Sequence, residues 1–275
     1  MSSKYLDKIF KFGHILALTP CFKKTKPSLL SKIYAFMVGL FITAAIPLTI
    51  YNRHFYQEQR SRQMYIKIAL CALLDINLLA FNYFTITALV FKHDQWKNLI
   101  TRLTVIVKNM DGVTLKLRIF VFAQVVGIAT MVASLTLWLN VYGMLYFSRY
   151  NIQYLQYYIL FYYETLLCLI ILLLGALYKK ISNHLRYLTL KNYSEANVLT
   201  AVKKLDDCLC FLKDAVDVFN DIFAWPMFLI ISYTVLHTLN DSYIIFVNIS
   251  VYKYDHYTKT KILAQFMLVS LLCVS

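Results

Sequence analysis

Glycine, proline and charged residues are all scarce in this chain of 275 residues. It contains six Gly and four Pro, and only 15% of its residues are charged, whereas 60% are hydrophobic and 16% are aromatic. With a mean hydropathy of +0.58, the chain has too few polar side chains to cover a soluble globule. The scarcity of Gly and Pro argues against flexible linkers between soluble units. We therefore predict a single polytopic membrane domain over residues 1–275.

Long apolar runs predict where the chain crosses the bilayer. A helical span needs about 20 mainly apolar residues to cross about 30 Å of hydrocarbon. Five runs meet this length, and a sixth run near the C-terminus is close to the minimum. The predicted fold is all-α, with spans at about 33–51, 65–91, 119–147, 154–178, 222–247 and 262–274.

The distribution of Lys and Arg predicts the orientation of these spans. The tail before the first span and the loops 92–118 and 179–218 together carry twenty cationic residues, whereas the alternate loops carry seven. Because cationic loops near spans are retained in the cytoplasm, the N-terminus is predicted to be cytoplasmic. The charges are scattered over several loops, so the net charge of +14 gives no reason to predict nucleic-acid binding.

The segment that leads into the fifth span carries apolar residues at alternating spacings of four and three, which is the spacing of a helical seam. No Pro interrupts this pattern before Pro226, so we predict one helix that has a cytoplasmic part at about 198–221 and continues into the span. The seam could pack against the same chain, but its length favours association between copies. The seam residues are Val198, Val202, Leu205, Leu209, Leu212, Val216, Phe219 and Phe223.

Polar side chains inside the predicted spans are candidates for a binding site, because a charged residue at the centre of a span is costly unless it faces protein or water. With neighbouring aromatic rings they would form an outward-facing pocket for small organic molecules. The alternative is that the polar groups pair between helices, while the Tyr side chains contact lipid at the membrane interface. The candidate ligand-binding residues are Asp75, Asn77, Trp138, Asn140, Tyr142, Tyr158, Tyr162 and Glu164.

Motifs of catalysis and of metal binding are not found in the sequence. The six His are dispersed, and the sequence contains no H-E-x-x-H, no G-x-S-x-G, no P-loop and no dinucleotide-binding glycine turn. Cys208 and Cys210 lie two positions apart, but no second Cys or His pair completes a zinc site of usual spacing. We therefore predict no enzyme activity, no cofactor and no metal.

The entrance to the fifth span resembles a segment of the insect gustatory receptor family. In that segment an Asn, an acidic or polar residue, an aliphatic residue, a Phe and a small residue follow one another. The small position is often Gly in the family and is Ala here. The matching residues are Asn220, Asp221, Ile222, Phe223 and Ala224.

This resemblance implies a receptor that binds a small-molecule tastant in a transmembrane pocket and gates a cation channel. It also implies a homo- or hetero-tetramer with other gustatory receptor subunits, located in the plasma membrane of a sensory neuron. One alternative is an insect odorant receptor, which has a related fold. A small secondary transporter is an alternative from another class, although transporters tend to have more Gly- or Pro-broken helices.

The resemblance also implies a seventh span that contains Thr-Tyr, five apolar residues and Gln-Phe. The nearest spacing in this sequence, from Thr258 to Phe266, has Lys259 in place of Tyr and Lys261 among the intervening residues. We therefore expect a product that is truncated before the seventh span, through either the gene model or splicing.

Overall fold

The computed structural model describes residues 3–20, 29–55, 63–109, 117–190 and 195–251. These residues form seven α-helices and no strand. The described helices are α1 (Ser3–Ile15), α2 (Leu29–Phe55), α3 (Gln63–Phe91), α4 (His93–Asn109), α5 (Leu117–Tyr142), α6 (Met144–Leu190) and α7 (Glu195–Val251).

Four of the described helices contain a segment that is long and apolar enough to cross a membrane. These segments are residues 68–91, 119–137, 153–188 and 199–243, and a shorter apolar helical segment covers residues 32–44. The predicted all-helical, polytopic fold is therefore confirmed. The predicted sixth span, 262–274, lies outside the described residues.

The long helix predicted at the entrance to the fifth span is confirmed as α7, which runs without interruption for 57 residues. It continues through Pro226, although Pro cannot donate the backbone hydrogen bond of an α-helix. The side chain of Pro226 is buried, so neighbouring helices pack against α7 at this point. The segment predicted to be cytoplasmic and the predicted fifth span thus belong to one continuous helix.

The junction between α5 and α6 is a single residue, Gly143, with a φ of 70°. A residue with positive φ ends a helix readily when it is Gly, and the Gly143 amide donates to the Leu139 carbonyl at 2.8 Å. The predicted span 119–147 thus covers the end of one helix and the start of the next. Hydropathy alone does not show this break, because the residues on both sides of Gly143 are apolar.

Of the four segments long and apolar enough to cross a membrane, that of α6 is the most buried. In its most apolar stretch 67% of the residues are buried, compared with 22% in that of α5. It contacts α2, α5 and α7, and α7 also contacts α3 and α4. Leu160, Leu166 and Leu177 of α6 are fully buried, whereas Phe122 and Val125 of α5 are exposed. The core therefore lies along α6 and α7, and the exposed apolar face of α5 is suited to contact lipid.

Candidate functional site

The seam on α7 divides into two sets of residues within a single chain. Leu205, Leu212, Phe219 and Phe223 are at most 6% exposed, whereas Val202, Leu209 and Val216 are 37–41% exposed. The buried residues pack inside the chain, in line with the first of the two interpretations of the pattern. The exposed residues recur every seven positions and remain available to a partner. The side chain of Val198 lies outside the described residues.

The helix α4 covers the buried side of the seam and runs antiparallel to α7. The Trp96 ring packs edge-to-face on Phe223, with ring centroids 5.0 Å apart. Just before the start of α4, the Lys92 ammonium donates a hydrogen bond to the backbone carbonyl of Asp221. The Arg102 guanidinium lies 2.5 Å from the Asp214 carboxylate. The first two contacts attach the α4 helix to the segment that resembles gustatory receptors, Asn220–Ala224, through Asp221 and Phe223.

A second group of side chains, here called the buried polar cluster, consists of Asp75, Tyr157, Tyr233, His237 and Asp241. Each member is at most 8% exposed. His237 Nδ1 lies 2.9 Å from Asp241 Oδ2. The His237 ring centroid lies 6.0 Å from that of Tyr157 and 5.6 Å from that of Tyr233. The Tyr233 side chain also forms a hydrogen bond with Tyr157 and interacts electrostatically with Asp75. The cluster therefore joins α3, α6 and α7.

Polar contacts continue from this cluster along the same helices. Gln153 Nε2 donates to the Tyr157 hydroxyl at 2.5 Å. Between α3 and α7, the Cys71 thiol lies 3.9 Å from Asn240 Oδ1. Gln153 is at the start of the apolar segment of α6, which is the outer end in the predicted orientation. The cluster therefore extends from that end toward the middle of the bundle.

The predicted ligand-binding residues fall into separate places. Asp75 belongs to the buried polar cluster, whereas Tyr158 and Tyr162 lie on a different side of α6. The Tyr158 hydroxyl is 3.4 Å from Gln124 Oε1 of α5, and the Tyr162 hydroxyl donates to the Ile9 carbonyl of α1 at 2.6 Å.

The other predicted ligand-binding residues lie apart from these contacts or outside the described part of the chain. Asn77 and Glu164 are partly buried on α3 and α6, and Asn140 is exposed near the end of α5. The side chains of Trp138 and Tyr142 lie outside the described residues. Of the six predicted residues whose side chains the structure describes, only Asp75 belongs to the buried polar cluster.

Sequence reasoning missed His237 and Asp241, whose Nδ1 and Oδ2 atoms are 2.9 Å apart in the buried polar cluster. The signal was present, because residues four apart in a helix lie on one face and both positions fall inside the predicted fifth span. The polar residues predicted to bind ligand, by contrast, all lie in the second, third and fourth predicted spans. An imidazole and a carboxylate at this spacing within an apolar segment predict a buried pair.

Metal binding finds no support in the described part of the chain. No group of three His, Cys, Asp or Glu side chains there is placed to hold a metal ion. Although the buried polar cluster contains two carboxylates and an imidazole, its described contacts are with aromatic rings and hydroxyl groups. The chemistry available to the cluster is hydrogen bonding, aromatic contact and proton binding.

Comparison with known families identifies the chain. A family described as 7tm Chemosensory receptor matches residues 6–275, which is nearly the full sequence. Among curated proteins, no sequence matches the chain significantly. The matched family consists of receptors and is not an enzyme family, and its members respond to small chemical ligands. The chain therefore belongs to the 7tm chemosensory receptor family.

Proposed function

We propose that this chemoreceptor chain is a gustatory receptor subunit, which binds small tastants in the outer half of its transmembrane bundle and gates a cation channel as an oligomer. The buried polar cluster is the observation that carries the proposal. It gathers hydrogen-bonding groups and aromatic rings from three helices. Sites for small organic molecules combine apolar and aromatic walls with a few orienting polar groups.

Ligand binding at the buried polar cluster biases the arrangement of several helices at once. Asp75 lies on α3, Tyr157 on α6, and His237 with Asp241 on α7. A ligand shifts a conformational equilibrium only by the difference between its affinities for the two states. Contacts with three helices supply such a difference whenever the helices change their relative positions. The remaining predicted residues with described side chains lie apart from the buried polar cluster, and they stay proposed contributors to ligand binding: Asn77, Asn140, Tyr158, Tyr162 and Glu164.

The oligomer is proposed from the exposed set on α7. Val202, Leu209 and Val216 form a stripe with heptad spacing that the described residues leave exposed. Such a stripe suits packing against an equivalent helix of another subunit. We propose a homo- or hetero-tetramer with other gustatory receptor subunits, in the plasma membrane of a sensory neuron.

The test is electrical recording from oocytes that express the chain alone or with other gustatory receptor subunits. Sucrose, caffeine and denatonium serve as soluble probes, and we expect an inward cation current with at least one of them. In Asp75→Asn, the half-maximal concentration of that compound should rise about tenfold, the effect of losing one charge-assisted hydrogen bond. Asp94→Asn is the matched control, because the Asp94 side chain is 97% exposed.

Other outcomes of the recording contradict the proposal. Currents evoked by volatile compounds but not by soluble tastants would assign the chain to odorant detection. Uptake of a radiolabelled compound without current would assign it to transport. Silence of every subunit combination, with the chain detected at the cell surface, would reject gating altogether.

A further inference from the structure

The helix α1 has one face buried in the bundle and one face exposed. Ile9 and Phe10 lie on the buried face, with 7% and 3% of their surface exposed. Residues three, four and seven positions apart lie on one side of an α-helix. The exposed face consists of residues at these spacings, which are Lys8, Lys11, Phe12 and Ile15. Along the helix axis, this face is therefore cationic first and apolar last.

The apolar end of this face continues onto the first turns of α2. The Tyr34 hydroxyl of α2 donates to the Ile15 carbonyl at 2.5 Å, so the two helices are in contact there. Leu30 precedes Tyr34 by one helical turn, and the two side chains are 77% and 43% exposed. The exposed residues of both helices are here called the N-terminal surface, which consists of Lys8, Lys11, Phe12, Ile15, Leu30 and Tyr34.

Two contacts relate the N-terminal surface to the ends of the predicted spans. Tyr34 belongs to the start of the first predicted span, and it contacts the end of α1. The Phe10 ring packs edge-to-face on Trp96, with centroids 6.3 Å apart, and Trp96 lies in the first turn of α4, directly after α3 ends at Phe91. In the predicted orientation, the start of the first span and the end of the second both face the cytoplasm. The surface therefore lies where the cytoplasmic leaflet meets water.

The charge of this region matches an acidic membrane surface. Residues 1–32 contain seven Lys and a single acidic residue, Asp7. The cytoplasmic leaflet carries the acidic phospholipids, which attract Lys side chains close to a span. An acidic protein segment would match the charge as well. The apolar part of the surface favours lipid, because it borders the start of a predicted span, where acyl chains are the neighbouring molecules.

We propose that the N-terminal surface binds acidic phospholipids of the cytoplasmic leaflet. The ammonium groups of Lys8 and Lys11 contact the acidic headgroups, while their aliphatic stems lie along the apolar boundary. Phe12 and Ile15 insert at the boundary between headgroups and acyl chains, as apolar side chains of interfacial helices do. Lipid binding then holds α1 from outside, in addition to its contacts with α4 and α6. The inference does not depend on which tastant the receptor binds or on channel opening.

The first test titrates the purified full chain in detergent with phosphatidylserine and counts the bound lipid by native mass spectrometry. In the double variant Lys8→Gln/Lys11→Gln, the dissociation constant should rise about thirtyfold, since each Lys near an acidic surface contributes about a fivefold factor. Lys203→Gln/Lys204→Gln is the matched control, because it removes the same charge from exposed positions on α7. The control should bind phosphatidylserine like the wild type. Equal affinities of the wild type and Lys8→Gln/Lys11→Gln would overturn the proposal.

A second test needs no variant and follows hydrogen–deuterium exchange of residues 3–15 in the wild-type chain. The amides of α1 should exchange more slowly in nanodiscs that contain phosphatidylserine than in nanodiscs of phosphatidylcholine alone. Raising the salt from 0.1 M to 1 M should remove this difference, because the screening length falls from about 10 Å to about 3 Å. Exchange that is independent of phosphatidylserine rejects the proposal.

A third arm separates a membrane from an acidic protein as the partner. Soluble polyglutamate is added to the chain in phosphatidylcholine nanodiscs, and it should leave the exchange of α1 unchanged. Protection by polyglutamate as strong as that by phosphatidylserine would assign the N-terminal surface to an acidic protein and contradict the lipid site. None of these measurements uses a tastant or a current, so failure of the gustatory proposal would leave their outcome intact.

Discussion

Tyr162 and Tyr163 are adjacent in the sequence and equally buried, but their hydroxyl groups have different surroundings. The Tyr162 hydroxyl donates to the Ile9 carbonyl at 2.6 Å and so connects α6 to α1. The Tyr163 ring packs against Phe81 and Phe223, with centroids 5.3 and 5.7 Å away. The Tyr163 hydroxyl has no hydrogen-bond partner among the described residues. One ring therefore fixes the N-terminal helix, while its neighbour mainly fills the core.

This difference predicts opposite results for two identical substitutions. Tyr162→Phe should lower the free energy of unfolding by about 1 kcal/mol, the usual net value of an intramolecular hydrogen bond. Tyr163→Phe should be neutral or slightly stabilising, because it removes a buried hydroxyl that gains nothing from the described residues. Thermal unfolding of the purified variants measures both effects.

A second measurement reports on α1 directly. Limited trypsin digestion should cleave after Lys8 or Lys11 sooner in Tyr162→Phe than in Tyr163→Phe, because only the first variant loosens the N-terminal helix. Equal cleavage rates in the two variants would show that the Tyr162 hydroxyl does not hold α1 in place.

At the residue scale, the burial of a polar side chain is easier to predict from the sequence than the residues that it contacts. Asp75 was predicted as a buried functional group from its place in a span, and it is buried. Tyr158 and Tyr162 were predicted to share a pocket with Asp75, but their described contacts are with α5 and α1. Which face of a helix meets which neighbour depends on tertiary packing, and a hydropathy profile carries no such information.

The contact between α5 and α6 illustrates what determines packing at the scale of helices. Gly127 of α5 is buried against the Phe161 ring of α6. A Cβ at position 127 would clash with that ring, because it would lie 2.6 Å from the ring carbon Cζ and closer still to Cε1. Small residues at such positions let membrane helices approach closely. Gly175 of α6 provides the comparison, since a Cβ there would meet no atom within 4 Å.

We predict that Gly127→Ala destabilises the protein by about 1–3 kcal/mol, the usual cost of overpacking a tight contact. Gly175→Ala should stabilise it slightly or leave it unchanged, since Ala favours helix more than Gly by about 0.5–1 kcal/mol. Unfolding temperature and the yield of monodisperse protein both report the difference. A stability of Gly127→Ala equal to that of Gly175→Ala would mean that the α5–α6 contact is looser than the structure shows.

The elements differ in how readily they could be predicted. The continuous helix α7 was predicted because its apolar spacing runs without a break into a span. The helices α1 and α4 lie in segments for which the sequence predicts only a tail and a loop, since amphipathic helices do not stand out in a hydropathy profile. Trp96 of α4 is nevertheless 1% exposed and packs on Phe10 of α1 as well as on Phe223. Periodicity, not mean hydropathy, was the signal that could have found these two helices.

At the scale of the whole molecule, the seam on α7 divides into two sets of residues. One set of residues packs within the chain, and the other set, spaced by seven, stays exposed. Leu212 and Leu209 are identical residues that represent the two sets, with exposed fractions of 5% and 38%. Substitutions in the two sets therefore separate folding from the proposed association.

We predict that Leu212→Ala lowers the free energy of unfolding by about 2–5 kcal/mol, as expected for a buried Leu. Leu209→Ala should change the unfolding free energy by less than about 1 kcal/mol. If the exposed set joins subunits, a loss of about 1 kcal/mol per contact would reduce association about fivefold. Cross-linking in intact membranes measures association, and thermal unfolding measures the fold. Undiminished cross-linking of Leu209→Ala and also of Leu209→Lys would retire the exposed set as an interface.

The unbroken length of α6 has a mechanical consequence. No Pro interrupts its 47 residues, so the segment from Tyr157 to Ile181 acts as a lever about 36 Å long. A tilt of about 5° around Tyr157 displaces Ile181 by about 3 Å, which is more than half of the helical pitch of about 5.4 Å. Displacements of 1–2 Å are enough to exchange one packing arrangement for another at helix contacts. A small tilt of α6 at Tyr157 would thus move Ile181 far enough to change the helix contacts at that end.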